Sequence, residues 1–298
     1  MRTLLPESFL RKWQIDHLHK EYLQEIRLRA GKTLTLTYEG TEHVLDHVVV
    51  QKTEIEQIFQ WLCGYGVYAY QDEIAKGYIT IQGGHRVGIG GQVLADSAGK
   101  VNHMKYISSL LIRVSHDVTG VCDPILENLY RNERIQSTLI LAPPGCGKTT
   151  FLRDLVRNVS NGNKYGKGQN ISLIDEREEL AAVYMGIPTN EVGRRTDVIS
   201  GCEKAIAMEM CLRALGPEVV AVDEVYSEKD IEAIKRLYGC GCAILATHHA
   251  DSFEDFVTKK FGKELITYGV FERYVVLRKE NETFGIRGVL DARGEQVA

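Results

Sequence analysis

The spacing of apolar and polar residues changes character near Val118. Before it, the run 25–30 alternates with the period of two that a half-buried strand requires, 33–38 follows it after a Gly31-Lys32 turn, and 109–114 reads as a further strand. Residues 77–82 and 85–90 read as a hairpin about Gly83-Gly84. Residues 1–24 are expected to be helical, with Leu10, Trp13, Leu18 and Leu23 set among charges. A capping box at Thr53-Glu54-Ile55-Glu56 opens a helix burying Ile55, Ile58, Phe59 and Leu62, which ends at Gly64 and Gly66. Residues 1–118 are therefore predicted to form a small α+β domain.

From 119 to 298 apolar strand-like runs alternate with helical patterns, which predicts an α/β domain with a mostly parallel sheet. Helices are expected at 123–131 and 202–215, and strands at 170–174, 218–222 and 241–246. The segment 186–198 reads as a loop, and 274–278 with 283–290 as an antiparallel hairpin closing the sheet edge.

One segment organises this half. An apolar strand at 137–141 runs into Ala142-Pro143-Pro144-Gly145-Cys146-Gly147, and a helix opens at Lys148-Thr149-Thr150 with Leu152, Leu155, Val156 and Val159 on one face. That order is a phosphate-binding loop, with Ala142 where the pattern has its first glycine. The loop 143–150 can surround a polyphosphate, its residues other than Pro143 and Pro144 offering backbone N–H groups, and the helix N-terminus directs partial positive charge at it. Lys148 supplies a full charge to the β- and γ-phosphates, and the Thr149 hydroxyl is the expected Mg²⁺ ligand. A purely structural turn would not favour a lysine at a helix start, where it opposes the dipole.

Carboxylates follow at predicted strand ends, the ligand side of a parallel sheet. Asp223 is expected to hold Mg²⁺ through water, and Glu224 to orient and polarise the attacking water. Asp175 and Glu176 are expected to reach metal-bound or attacking water. Thr247-His248-His249 ends the next strand, and His249, with Thr247 beside it, is the candidate for contacting γ-phosphate or water.

Composition excludes little. The chain of 298 residues is 44% hydrophobic and 26% charged, which is ordinary for a globular protein. Residues 1–118 carry 13 basic and 13 acidic side chains and the remainder 23 and 27, so neither half has the basic excess of a nucleic-acid binder. Seven scattered cysteines lack zinc spacing and read as core hydrophobes or incidental thiols. Cys146, inside the phosphate loop at a helix start, is the one thiol whose pKa could be lowered. His17 and His19 fall on different helix faces, against metal ligation. No apolar run approaches the ~20 residues of a membrane helix and no signal peptide is evident, so a cytoplasmic location is expected.

The order of these motifs resembles RecA-like ATPases of type II and type IV secretion and pilus assembly, with IDERE, VVAVDEV and THHA after the phosphate loop. It is closer still to the stage III sporulation protein AA family, through EIRLRAGK, GYITIQGGHRVGIGG, APPGCGKTT, SLIDEREEL, VGRRTDV and VVAVDEV. Asp223 stands where the wider secretion group often has glycine. The resemblance implies a RecA-like P-loop ATPase domain, with ATP and Mg²⁺ as ligands. It also implies a homo-oligomer, a hexamer in the family's working form, docked without membrane insertion on a membrane-embedded sporulation channel between mother cell and forespore. In such rings an arginine acts on the neighbour's nucleotide; Arg195 is the first candidate here, with Arg194, Arg86 and Arg113 behind it. The competing expectations are a RecA-type ATPase acting on nucleic acid and an assembly subunit using ATP only as a switch. Glu224 argues against the switch, because a switch needs no water-activating carboxylate. An ABC-type ATPase is set aside because no LSGGQ-like signature occurs.

Overall fold

A computed structural model describes residues 4–15, 18, 22–95, 101–280 and 283–297. His17 and His19 lie outside them. The chain divides into two compact units, residues 1–116 with 182–189, and residues 117–181 with 190–298. The sequence places one boundary at 118; the structure adds a short segment of the second half to the first unit.

The first unit is built on a six-stranded sheet. In spatial order its strands are Thr41–Val49, Thr33–Tyr38, Leu23–Arg29, Val101–Arg113, His85–Ala95 and Tyr78–Ile81. All neighbours are antiparallel. Its core gathers Leu23, Ile26 and Leu28 with Ile55, Ile58, Phe59 and Leu62 of the helix Lys52–Leu62. That helix starts earlier than the capping box predicts: the Gln51 N–H donates to the Glu54 carboxylate at 2.7 Å. The N-terminal helix is only Glu7–Lys12, and Leu23 already belongs to a strand. The strand Thr41–Val49 was not predicted. Most of its side chains are exposed, so it lacks the apolar alternation that marks a strand in sequence.

The second unit carries the seven-stranded sheet. Its strands, in spatial order, are Thr196–Ser200, Ile171–Asp175, Val219–Val222, Ala243–His249, Thr138–Ala142, Arg273–Glu280 and Thr283–Asp291. The first six run parallel; only Thr283–Asp291 is antiparallel to its neighbour. The final pair thus does form a hairpin, but its first strand continues the parallel sheet. Thr138–Ala142, Ile171–Asp175 and Val219–Val222 are buried throughout, as expected of strands covered by helices on both faces.

Two other expectations are corrected. The helix predicted over 123–131 is a 3₁₀ turn Asp123–Ile125 and a single turn Leu126–Leu129, followed by a tight hairpin Tyr130–Arg131 with Arg134–Ile135. The predicted loop 186–198 runs into the strand Thr196–Ser200 over its last three residues, and it begins within the small hairpin Val183–Tyr184 with Ile187–Pro188. Among the described residues no helix is long and apolar enough to cross a membrane.

Candidate active site

The parallel register brings the site together. Ala142, where the phosphate-loop strand ends, lies opposite His249, and Val222, one residue before Asp223, lies opposite Ala246. Three strand ends therefore deliver the loop, the acidic pair and the Thr-His-His segment to one edge. The loop turns through Gly145 and Gly147, with φ of 72° and 78°, where a side chain would strain the backbone. Gly147 leads into the helix Lys148–Asn161.

Thr149 and Asp223, 74 residues apart, meet directly: the Thr149 hydroxyl donates to Asp223 Oδ2 at 2.8 Å. The other Asp223 oxygen accepts the Thr247 hydroxyl. Thr247 also accepts the Glu224 N–H at 2.8 Å, so this buried hydroxyl is shared by both acidic residues. A hydroxyl and a carboxylate in contact are hard oxygen donors of the kind Mg²⁺ takes, so the pair fits that ion.

Lys148 is buried, and its three N–H groups are all engaged: Ala142 O at 2.9 Å, Pro143 O at 2.8 Å and His249 Nδ1 at 2.9 Å. Burial pushes its ammonium below the ordinary lysine range, opposed by the charges of Asp223 and Glu224. An ammonium only donates, so His249 Nδ1 accepts, and its Nε2–H donates to Glu224 Oε1 at 2.8 Å. The other Glu224 oxygen is held by Arg177 at 2.5 Å. Lys148, His249, Glu224 and Arg177 thus form one continuous chain. Glu224 itself is in the left-handed region, φ 55°, which a non-glycine residue occupies only when its surroundings hold it there.

The remaining candidates are placed otherwise. Asp175 does not present a free carboxylate. One of its oxygens accepts the Glu179 N–H, the other those of Leu180 and Ala181, at 2.8–3.0 Å, so it fixes the turn that follows its strand. Burial pushes its carboxyl up, and those three N–H groups hold it back. Glu176 pairs with buried Lys204 at 3.0 Å. Arg195 precedes the strand Thr196–Ser200, whose first residue lies beside Ile171 and whose last lies beside Asp175. It is therefore at the sheet edge opposite the phosphate loop and cannot serve the loop of its own chain. Arg194 bonds to the Asn161 carbonyl in the same region. In the first unit, Arg86 lies 3.7 Å over the Tyr78 ring and Arg113 pairs with Glu25 at 3.5 Å. Cys146 is buried, and all seven cysteines are free thiols.

Sequence reasoning missed two arginines. Arg177 is hidden in the acidic run Asp175-Glu176-Arg177-Glu178-Glu179, where an ordinary surface pair is the default reading. Arg153 is buried on the helix after the loop; its Nε and Nη1 lack hydrogen-bond partners, and Asp117, Asp175 and Asp223 are its charged surroundings. Its only signal is a cation one residue after Leu152 on the buried side of that helix.

A similar fold occurs in solved structures. The structure titled pilus retraction motor PilT with bound ADP aligns with a TM-score of 0.64 at 14% identity, over 98% of this chain and 83% of that one. The ATPase DotB of Yersinia pseudotuberculosis aligns at 0.62 and 16%, over 98% and 81%. In sequence, stage III sporulation protein AA of Bacillus subtilis is 33% identical over 272 residues, 91% of this chain and 88% of that relative. With residues 2–297 matched to the family described as Sporulation stage III, protein AA, the chain belongs to that family.

Proposed function

We propose that the chain is a Mg²⁺-dependent ATPase that works as a motor subunit of a homo-oligomeric ring, docked through partner proteins on a membrane-embedded sporulation channel. The observation that carries the catalytic part is the Thr149–Asp223 contact at 2.8 Å, with Glu224 one residue further on. Family membership supports the sporulation setting, and a fold shared with PilT and DotB supports a motor.

In this reading the N–H groups of the loop 143–150 bind the phosphates, and Lys148 leaves its loop carbonyls and His249 for the β- and γ-phosphate oxygens. Mg²⁺ held by Thr149 and Asp223 supplies charge neutralisation when bound. Glu224 orients and polarises the attacking water, and His249 keeps that carboxylate turned toward the loop. Asp175 acts through the turn it braces rather than on water. Arg195, at the opposite sheet edge, is assigned to a neighbour's nucleotide, which makes an isolated subunit a slow enzyme.

Glu224→Gln should retain ATP binding and lose turnover, while Lys148→Ala should lose nucleotide affinity. Phosphate release and binding of a fluorescent ATP analogue read the two. Wild-type turnover in the Gln variant removes Glu224 from the mechanism, and failure of the wild type to bind ATP removes the reading.

A further inference from the structure

His248 lies between the nucleotide site and two helices, Phe253–Thr258 and Lys260–Tyr268. Its ring is buried, stacked on Phe261 with centroids 4.7 Å apart and planes within 4°, and met edge-on by Phe256 at 5.4 Å. Nδ1 lies 2.7 Å from the Val225 carbonyl oxygen. A carbonyl only accepts, so Nδ1 carries the proton. Nε2 is left with a lone pair and no partner. An apolar ring would fill the same space without that desolvation cost, so packing alone does not account for a histidine.

What the imidazole adds is one donor, and the carbonyl that receives it belongs to the residue after Glu224. The left-handed turn at Glu224 must be held from outside. Thr247 takes the Glu224 N–H on its hydroxyl and the Val225 N–H on its carbonyl, at 2.8 and 2.9 Å. His248 takes the Val225 carbonyl, and His249 takes the Glu224 carboxylate. Three consecutive residues thus grip one turn from three sides.

We infer that His248 is a positioning residue for Glu224: its Nδ1–H fixes the Val225 peptide and thereby the direction in which the Glu224 carboxylate faces. The inference rests on the ATPase reading above. It assigns work to the middle residue of the Thr-His-His segment, which lies outside the chain of contacts from Lys148 through His249 and Glu224 to Arg177.

The test compares His248→Phe with His248→Asn. The Phe variant keeps the ring and its stack and removes the donor; the Asn variant loses the ring but offers an N–H near the Nδ1 position. kcat should fall about ten- to hundredfold in the Phe variant, the scale of misplacing a catalytic group by roughly an ångström, and recover most of that loss in the Asn variant. KM for ATP should stay unchanged in both, because Lys148, Thr149 and Asp223 are untouched. A merely structural ring gives the opposite order, with Phe tolerated better than Asn. Wild-type kcat in the Phe variant, or an Asn variant slower than Phe, overturns the inference and leaves the ATPase reading standing. No wild-type turnover above that of Lys148→Ala overturns the ATPase reading and this inference with it. Independently of any variant's folding, ¹⁵N spectra of ring-labelled wild-type protein should show His248 protonated at Nδ1; an Nε2–H tautomer overturns the proposal.

Discussion

Replacing Thr247 by valine isolates the hydroxyl on which the acidic pair converges. The side chain is fully buried, and valine has nearly its shape, so the substitution removes polarity with little change in volume. Two hydrogen bonds go: the donation to Asp223 and the acceptance of the Glu224 N–H at 2.8 Å. A bond to a charged group contributes about 1.5–3 kcal/mol, and a buried N–H left unpaired costs about 1–3 kcal/mol. Because one oxygen makes both bonds and the pieces are coupled, the expected loss is about 2–4 kcal/mol rather than the full sum. For a unit the size of 117–181 with 190–298, each kcal/mol moves the midpoint by about 2–4 °C, so a drop of about 4–16 °C is expected. Thr247→Ser keeps the hydroxyl and should lose about 1–2 kcal/mol, the scale of a buried methyl. Differential scanning calorimetry of the three proteins makes the measurement, with phosphate release on the same samples, where the Val variant should also be slower. If valine melts within 2 °C of the wild type, about half the smallest shift expected, the shared hydroxyl does not hold the acidic pair and the site geometry derived from it fails.

Chelation of divalent ions should stop hydrolysis, and Thr149→Ala should raise the Mg²⁺ concentration giving half-maximal rate, with a stability loss of at most about 1.5–3 kcal/mol from the bond to Asp223; a Mg²⁺ titration of both proteins checks it. His248 adds a pH dependence. Burial pushes its pKa below the ordinary histidine value of 6.5, opposed by the bond to the Val225 carbonyl, with Lys259, His249 and Asp255 as its charged or titratable surroundings. The unfolded chain therefore binds a proton that the folded chain refuses. The contribution is fully present above about pH 6.5 and is lost as pH falls toward the folded value, by at most about 1.4 kcal/mol per pH unit. Urea unfolding at pH 7.5 and 5.5 should show a smaller acid loss for His248→Phe than for the wild type; equal slopes would mean that the folded ring takes up its proton as freely as the unfolded one.

What the sequence disclosed about this protein follows the range of the forces involved. The phosphate loop and the Asp223-Glu224 strand end were legible because each is a local device: glycines for left-handed turns, a helix start, an apolar run closed by carboxylates. Their meeting was inferred from chemical necessity, since one ion needs both, and the parallel register supplies it. Asp175 was misread because a carboxylate at a strand end looks the same whether it faces a ligand or turns back. Here it turns back onto three N–H groups of a turn flanked by the left-handed residues Glu178 and Ala182, neither of which carries a turn signal. The helix Glu228–Gly239 carries its own signal in the Ser227–Asp230 capping box, as Phe253–Thr258 does in Ser252 and Asp255. Arg177 carries no such local signal. Its contact with Glu224 joins residues 47 apart on adjacent strand ends, and only the sheet order brings them together. The same holds for His248, whose role is set by the carbonyl of a residue 23 positions earlier. The pieces of the site proposed to bind phosphate are thus written in contiguous sequence, whereas those that aim the carboxylate proposed to orient water exist only once the strands have paired. Substitutions in the first set should act on nucleotide affinity and those in the second on turnover, which is the division the Lys148, Glu224 and His248 variants measure.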